Sequence, residues 1–182
     1  MASALTAMTS RSAETKEEMA QDLTQRLAAL GRAHDLVRPV PGQTENATLL
    51  GDLSVLLRPY DDIGAFSGRV RVGVPRLGVG AAAATSLALV LHELATNSVK
   101  HGALSTPTGL LDIGCLAEGD DTVIAWTERG GPAVTAPADA KGFGSKLLNR
   151  VVETQFHGRI TYDWRQDGLV ARLYLPTARL TA

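Results

Sequence analysis

The run TSLALVLHELATNSVKHGALS, from Thr85 to Ser105, commits this chain to a helix with two unlike faces. Leu87, Leu91, Leu94, Ala95 and Ser98 recur at helical spacing, with Ala84 before them. At about 100° per residue, with Glu93 set at zero, Leu94, Leu87, Ser98 and Leu91 fall between about 100° and 160°. Asn97 falls at about 40° and Lys100 at about −20°, on the side expected to point away from the core. His101 flanks that side, and His92 lies off it. An acid, an amide and a cation stacked on one face suit a polyanion. A carboxamide oxygen can ligate magnesium, a carboxylate can orient a water or accept a proton, and a lysine can meet phosphate oxygens. Pattern alone favours the plainer alternative, the solvated face of an amphipathic helix, so the rest of the chain has to decide.

At 182 residues, 45% of them hydrophobic, the chain suffices for one domain with a real core plus an accessory element. A net charge of −1 and few aromatic residues argue against nucleic acid or an acidic membrane as main partner. The single cysteine, Cys115, excludes an intrachain disulfide and alternates within an expected strand as a structural thiol would. No basic segment followed by an apolar run opens the sequence, so no signal peptide is expected. The apolar run Leu77 to Leu91 is too short to span a bilayer. These features fit a cytoplasmic protein, or the cytoplasmic part of a larger one.

Read in order, Met1 to Ser10 resembles the tail of a helix. Thr15 and Glu18 form a capping-box pattern that starts a second one. Met19, Leu23, Leu27 and Leu30 carry it to about Val37, and Pro39 and Pro41 stop it. A helical hairpin of this kind cannot bury its own stripe, which predicts a homodimer through a four-helix bundle. A short helix is expected over Leu49 to Leu57, closed by Pro59, and a strand over Arg69 to Val74. The central helix spans about Ala82 to His101. Strands follow at Leu110 to Leu116 and Thr122 to Thr127, joined by the turn Glu118–Gly119–Asp120–Asp121. Arg129 to Gly144 is a Gly/Pro/Ala-rich loop of functional length. A helix over Ser145 to Phe156 precedes a hairpin of Arg159–Trp164 and Leu169–Leu175, turning at Gln166–Asp167–Gly168. The expected division is a helical hairpin remnant over residues 1–40 and an α+β domain over 41–182. That domain is expected to be a two-layer α/β sandwich of mostly antiparallel strands with helices on one face.

Three stretches line up in this order: the helix with His92, Glu93, Asn97 and Lys100; Trp126–Thr127–Glu128–Arg129–Gly130–Gly131–Pro132 at a strand end; and Gly142–Phe143–Gly144–Ser145 at a helix start. Glycines before a helix let a backbone approach phosphate, and the helix N-terminus offers free N–H groups there. Together these motifs resemble the ATP-binding domain of sensor histidine kinases, in the wider gyrase/Hsp90/kinase/MutL (Bergerat) class. More narrowly they resemble the HWE subfamily, marked by His92 and by Trp126-x-Glu128. Arg32–Ala33–His34–Asp35–Leu36 and Asp167–Gly168–Leu169–Val170 are also similar to it, so the likeness runs from Arg11 to Pro176.

The resemblance implies ATP and Mg²⁺ as cofactors and a response-regulator receiver domain as partner. It implies that Asn97 coordinates magnesium, with Glu93 as base or water-positioner near the same ion. Lys100 and His101 would face phosphates, Glu128 would read the adenine amino group, and Gly130 and Gly131 would line the base pocket. Gly142, Phe143, Gly144 and Ser145 would form the phosphate-binding helix start, with Ala133 to Lys141 as the lid. Pro132 stands where many histidine kinases have glycine. Trp126 reads first as a packing residue, and His92 as one that orders neighbouring structure.

The His-Arg-x-x-Asn acceptor motif of the subfamily does not occur in these residues, so on the resemblance the acceptor histidine is expected upstream of Met1; the alternatives are a fragment cut after the acceptor and a natural protein that lacks one. His34–Asp35–Leu36–Val37–Arg38–Pro39 imitates the acceptor pattern of the commonest histidine kinases. It lies near the end of the second hairpin helix, too close to Asn97 for a further hairpin helix to intervene. Two other functions fit the same fold: a non-catalytic dimeric module that docks a receiver domain, and a protein-serine kinase. Intact Asn97, Glu128, Gly142 and Gly144 argue against the first, and the helical hairpin against the second.

Overall fold

The computed structural model describes residues 15–36, 51–52, 66, 68–75, 77–133 and 143–181, with 18, 32, 35–36, 51–52 and 143–147 described by backbone alone. Helix α1 spans Lys16–Leu36. The strands β1 (Gly51–Asp52), β2 (Val70–Gly73) and β3 (Gly78–Val79) lead into helix α2, Ala81–Lys100. A 3-10 turn at Ala103–Ser105 is followed by β4 (Leu110–Glu118) and β5 (Asp121–Arg129). Helix α3 (Phe143–Phe156), strands β6 (Arg159–Arg165) and β7 (Gly168–Pro176), and the short helix α4 (Thr177–Leu180) complete the order.

Five strands form one sheet in the order β2-β4-β5-β7-β6. All pairs are antiparallel except β2 with β4, which run parallel. The β4–β5 turn uses Gly119 at φ 61°, a left-handed conformation that glycine adopts without a Cβ clash. Alternation does the rest. Thr122, Ile124, Trp126 and Glu128 face the helices on β5, and Leu111 and Ile113 do so on β4. Against them pack Leu87, Leu91 and Leu94 of α2 and Leu148, Val152 and Phe156 of α3. This is the expected two-layer sandwich, and its strands and its two main helices fall where alternation and helical spacing put them.

Three features differ from expectation. Residues 51–52 form a strand paired with β3, not part of a helix over Leu49 to Leu57. Two-residue pairing to a neighbour that is distant in sequence leaves no local periodicity to read. The remaining residues of that expected helix lie outside the described ones, as do Met1 to Ser10 and Pro39 and Pro41.

Secondly, α1 lies on the outer side of α2 as a further layer. Leu23 and Leu30 pack with Leu89, while Ala29 and Ala33 are buried. Part of the stripe expected to seek a second copy is thus covered within the chain, whereas Leu27 stays 47% exposed. Thirdly, α4 closes the bottom of the sandwich, where Leu180 is fully buried and its carbonyl accepts the Gly80 N–H at the start of α2.

Cys115 is half-buried, and desolvation raises its thiol pKa, in keeping with a structural role. On β6, Tyr162 stacks on Trp164 with centroids 6.0 Å apart. The Tyr162 hydroxyl finds no hydrogen-bond partner among the described residues, and burial pushes its pKa up to about 12 from 10.0. The neutral phenol is therefore favoured in the folded state. This contribution is complete below pH 10 and is lost as pH climbs from there to about 12. Urea unfolding is expected to show stability falling over that window, with a flatter profile in Tyr162→Phe. Equal profiles would contradict it.

Candidate functional site

Helix α2 places the first group of expected site residues, and the structure splits them. Asn97 is half-buried, and Lys100 and His101 are exposed, as the helical wheel predicts. Glu93 is not on an open face: it is 4% exposed. Arg26 of α1 reaches across and donates from Nε to Glu93 Oε1 at 2.6 Å and from Nη2 to Oε2 at 3.0 Å. Arg26 is itself buried. One turn earlier on α1, Asp22 meets Lys100 Nζ at 3.3 Å. The two pairs have opposite polarity, so α1 sits in one register along α2.

The signal for this docking is present in the sequence. Ser86 and Leu89 lie at about 20° and −40° on the same wheel, beside Glu93. Both are buried. A leucine flanked by a small residue on a supposedly solvated face marks a helix contact, and Arg26 is the matching charge on the facing helix. Sequence reasoning missed Asp22 and Arg26 because partners on two helices are unrelated in sequence distance. His34, the imitation acceptor, sits in the last turn of α1 and is exposed, next to the fully buried Ala33.

The second group surrounds the end of β5. Glu128 is buried, and both carboxylate oxygens have protein donors. The Trp126 indole Nε1–H donates to Oε1 at 2.9 Å, and the Ala103 backbone N–H donates to Oε2 at 2.7 Å. Trp126, completely buried, is thus more than packing. Residues two apart on a strand share a face, which is why the Trp-x-Glu spacing lets the ring support the carboxylate.

Close backbone approaches hold this corner. A Cβ on Gly102 would fall 2.0 Å from Glu128 Oε2, and one on Gly131 would fall 2.9 Å from the Ala103 Cα. A Cβ on Gly168 would fall 2.0 Å from the Glu128 carbonyl oxygen. Gly130, at φ 68°, turns the chain out of β5, and its N–H donates to the Asp167 carbonyl at 2.8 Å. The Asp167–Gly168 turn therefore braces the strand end that carries Glu128. At the other side, the Asn97 carbonyl accepts from His101 N–H at 2.8 Å and Gly102 N–H at 3.0 Å, so the helix end carrying Asn97 runs straight into the glycine against Glu128.

The structure thus joins Asn97, His101, Glu128, Gly130 and Gly131 around one corner of the sandwich. Gly102, Ala103 and Gly168 belong there too, although sequence reasoning gave none of them a contact with Glu128. Gly142 and residues 134–141 of the expected lid lie outside the described ones. Phe143, Gly144 and Ser145 open α3 in its first turn.

A five-stranded mixed sheet with two helices on one face is the fold of histidine kinase catalytic domains. Solved structures with this fold include the histidine kinase domain of Erythrobacter litoralis EL346 blue-light activated histidine kinase. That domain matches over 99% of this chain and 95% of its own, with a TM-score of 0.67 at 12% identity. The catalytic domain of histidine kinase ThkA covers 69% of this chain and 94% of its own, with a TM-score of 0.53 at 17% identity.

Residues 1–71 match the family model described as HWE histidine kinase. Blue-light-activated histidine kinase 1 of Erythrobacter litoralis is 35% identical over 177 residues, 95% of this chain and 48% of that protein. The blue-light-activated histidine kinase of Brucella anthropi is 31% identical over 97% of this chain and 36% of its own length. The chain is thus similar to HWE histidine kinases over residues 1–71 and to blue-light-activated histidine kinases over almost all of its length, and it spans about half or less of the length of these relatives. Among the described residues no helix is long and apolar enough to cross a membrane.

Proposed function

We propose that this chain is the ATP-binding catalytic region of a two-component histidine kinase, residues 41–182, with part of the dimerisation hairpin, residues 1–40. It transfers the ATP γ-phosphoryl group to a histidine and onward to an aspartate of a receiver domain in the cytoplasm. The observation that carries this reading is the corner where the buried Glu128 carboxylate, Gly130 and Gly131 meet the end of the helix bearing Asn97. An acceptor-only carboxylate suits a base amino group.

Asn97 offers one amide oxygen, which fits magnesium, an ion held by few protein oxygens and the substrate's own phosphates. When bound, that ion would neutralise developing charge on the phosphates. Lys100 and His101 add positive or donor groups at the same helix end. Glu93 serves as base or positioning group, and that role requires Arg26 to let go of its carboxylate. The docked arrangement of α1 is on this reading an inactive one. Dimerisation through the N-terminal helices would compete with it for Leu23 and Leu30.

Calorimetry of the chain with ADP and magnesium tests the reading. Binding is expected, with Asn97→Ala weakening it roughly tenfold or more in magnesium, the size of losing one ligand to a charged group. Absence of binding by the unsubstituted chain would favour a receiver-docking module that does not use nucleotide.

A further inference from the structure

We infer that Trp126 sets the base specificity of the nucleotide site, by holding the Glu128 carboxylate so that it can only accept a hydrogen bond from the base. The inference rests on the ATP-binding reading above and goes beyond it by assigning the discrimination to a residue that never touches the nucleotide.

The carboxylate has little freedom. Trp126 Nε1–H holds Oε1 at 2.9 Å, and the Ala103 N–H holds Oε2 at 2.7 Å. Gly102 lies so close that a Cβ there would stand 2.0 Å from Oε2. The indole cannot turn, because the ring is completely buried in the core between β4, β7 and the helices. Its N–H is also a donor with no acceptor capacity and no proton to give up near neutral pH. A histidine or an acid at this position could exchange a proton with Glu128, whereas an indole has none to exchange.

A carboxylate has about four acceptor positions, of which the two protein donors take two. What remains toward the pocket accepts and never donates. A purine with an exocyclic amino group is satisfied there, whereas one with a carbonyl at that place brings oxygen against oxygen. A site built to hydrogen-bond one partner rejects the analogue that leaves its buried group unpaired. Without the indole, Oε1 is free to rotate or to recruit water, and a water can donate to the carbonyl analogue.

The test compares magnesium ADP with magnesium IDP on the full chain. The unsubstituted chain is expected to prefer ADP by roughly tenfold or more. Trp126→Phe, which keeps an aromatic core but removes the donor, is expected to shrink that ratio to about threefold or less, mainly through weaker ADP binding. A purely structural role would weaken both nucleotides alike and keep the ratio, and that result overturns the inference. If the unsubstituted chain binds neither nucleotide, the ATP reading falls and the inference with it.

A second measurement does not depend on how the core tolerates the Trp126→Phe substitution. With two tryptophans in the chain, Trp164→Phe leaves Trp126 as the sole source of an indole N–H signal in ¹⁵N-labelled protein. ADP is expected to move that signal clearly and IDP markedly less. Equal shifts with both nucleotides count against the proposal.

Discussion

Arg26→Met is expected to release helix α1 from the sandwich while leaving the sandwich folded. With Arg26 gone, Glu93 would stay buried as a carboxylate without its bidentate partner. Breaking a buried pair from one side costs about 3–5 kcal/mol, because the remaining charge is neither solvated nor compensated. The chain has a cheaper route than bearing that cost. Lifting α1 returns Glu93 to water at the loss of the contacts that Leu23, Leu30 and Ala33 make. Amide exchange should therefore rise across residues 16–36 by roughly 10²- to 10³-fold, while β4, β5 and β7 keep their protection. Replacing both partners, Arg26→Met with Glu93→Leu, should restore protection of α1, since paired hydrophobic replacements of buried ion pairs are often neutral or stabilising. If the single variant leaves exchange in α1 unchanged, the ion pair does not hold the helix. The exposed pair of Lys100 with Asp22 should matter far less, because Lys100 is 41% exposed and screened by water.

Trp126→Ala is expected to lower the thermal midpoint by roughly 6–20 °C. Removing a fully buried aromatic costs about 3–5 kcal/mol in transfer and cavity terms, and in a chain of this length each kcal/mol is about 2–4 °C. Ring loss also takes from the Glu128 carboxylate one of its two protein donors, which adds to the penalty in the same direction. Trp164, half-buried on the edge strand β6, offers the comparison. Trp164→Ala should cost distinctly less, since water and the Tyr162 ring can close over the space. Calorimetric scans of both variants check the order, and a Trp164→Ala loss equal to that of Trp126→Ala would refute it.

Most of the sandwich was legible in the sequence because its elements obey local periods. Thr122, Ile124, Trp126 and Glu128 alternate as a half-buried strand must, and Leu87, Leu91 and Leu94 repeat as a buried helical face must. Residues 51–52 were not legible, because a two-residue strand owes its existence to Gly78–Val79 opposite and to nothing nearby. The short helix after β7 was missed for a like reason: its anchor is a carbonyl bonded to Gly80, about a hundred residues earlier in the chain.

The candidate site divides the same way. The identity of its groups, Glu93, Asn97, Lys100, Glu128 and the glycines, came from residue type and spacing, since each chemistry admits few side chains. Their state was decided by tertiary structure alone. Glu93 reads as an open-face acid on its own helix, and it is buried because Arg26 lies on another helix that packs over it. Glu128 reads as a strand-end acid, and it is fixed by an indole two residues away and by a backbone N–H that only the turn after α2 brings within reach. Periodicity along a chain determines which face a side chain takes. What stands opposite that face depends on which distant segments pack together, and the sequence pattern of one element does not contain that information.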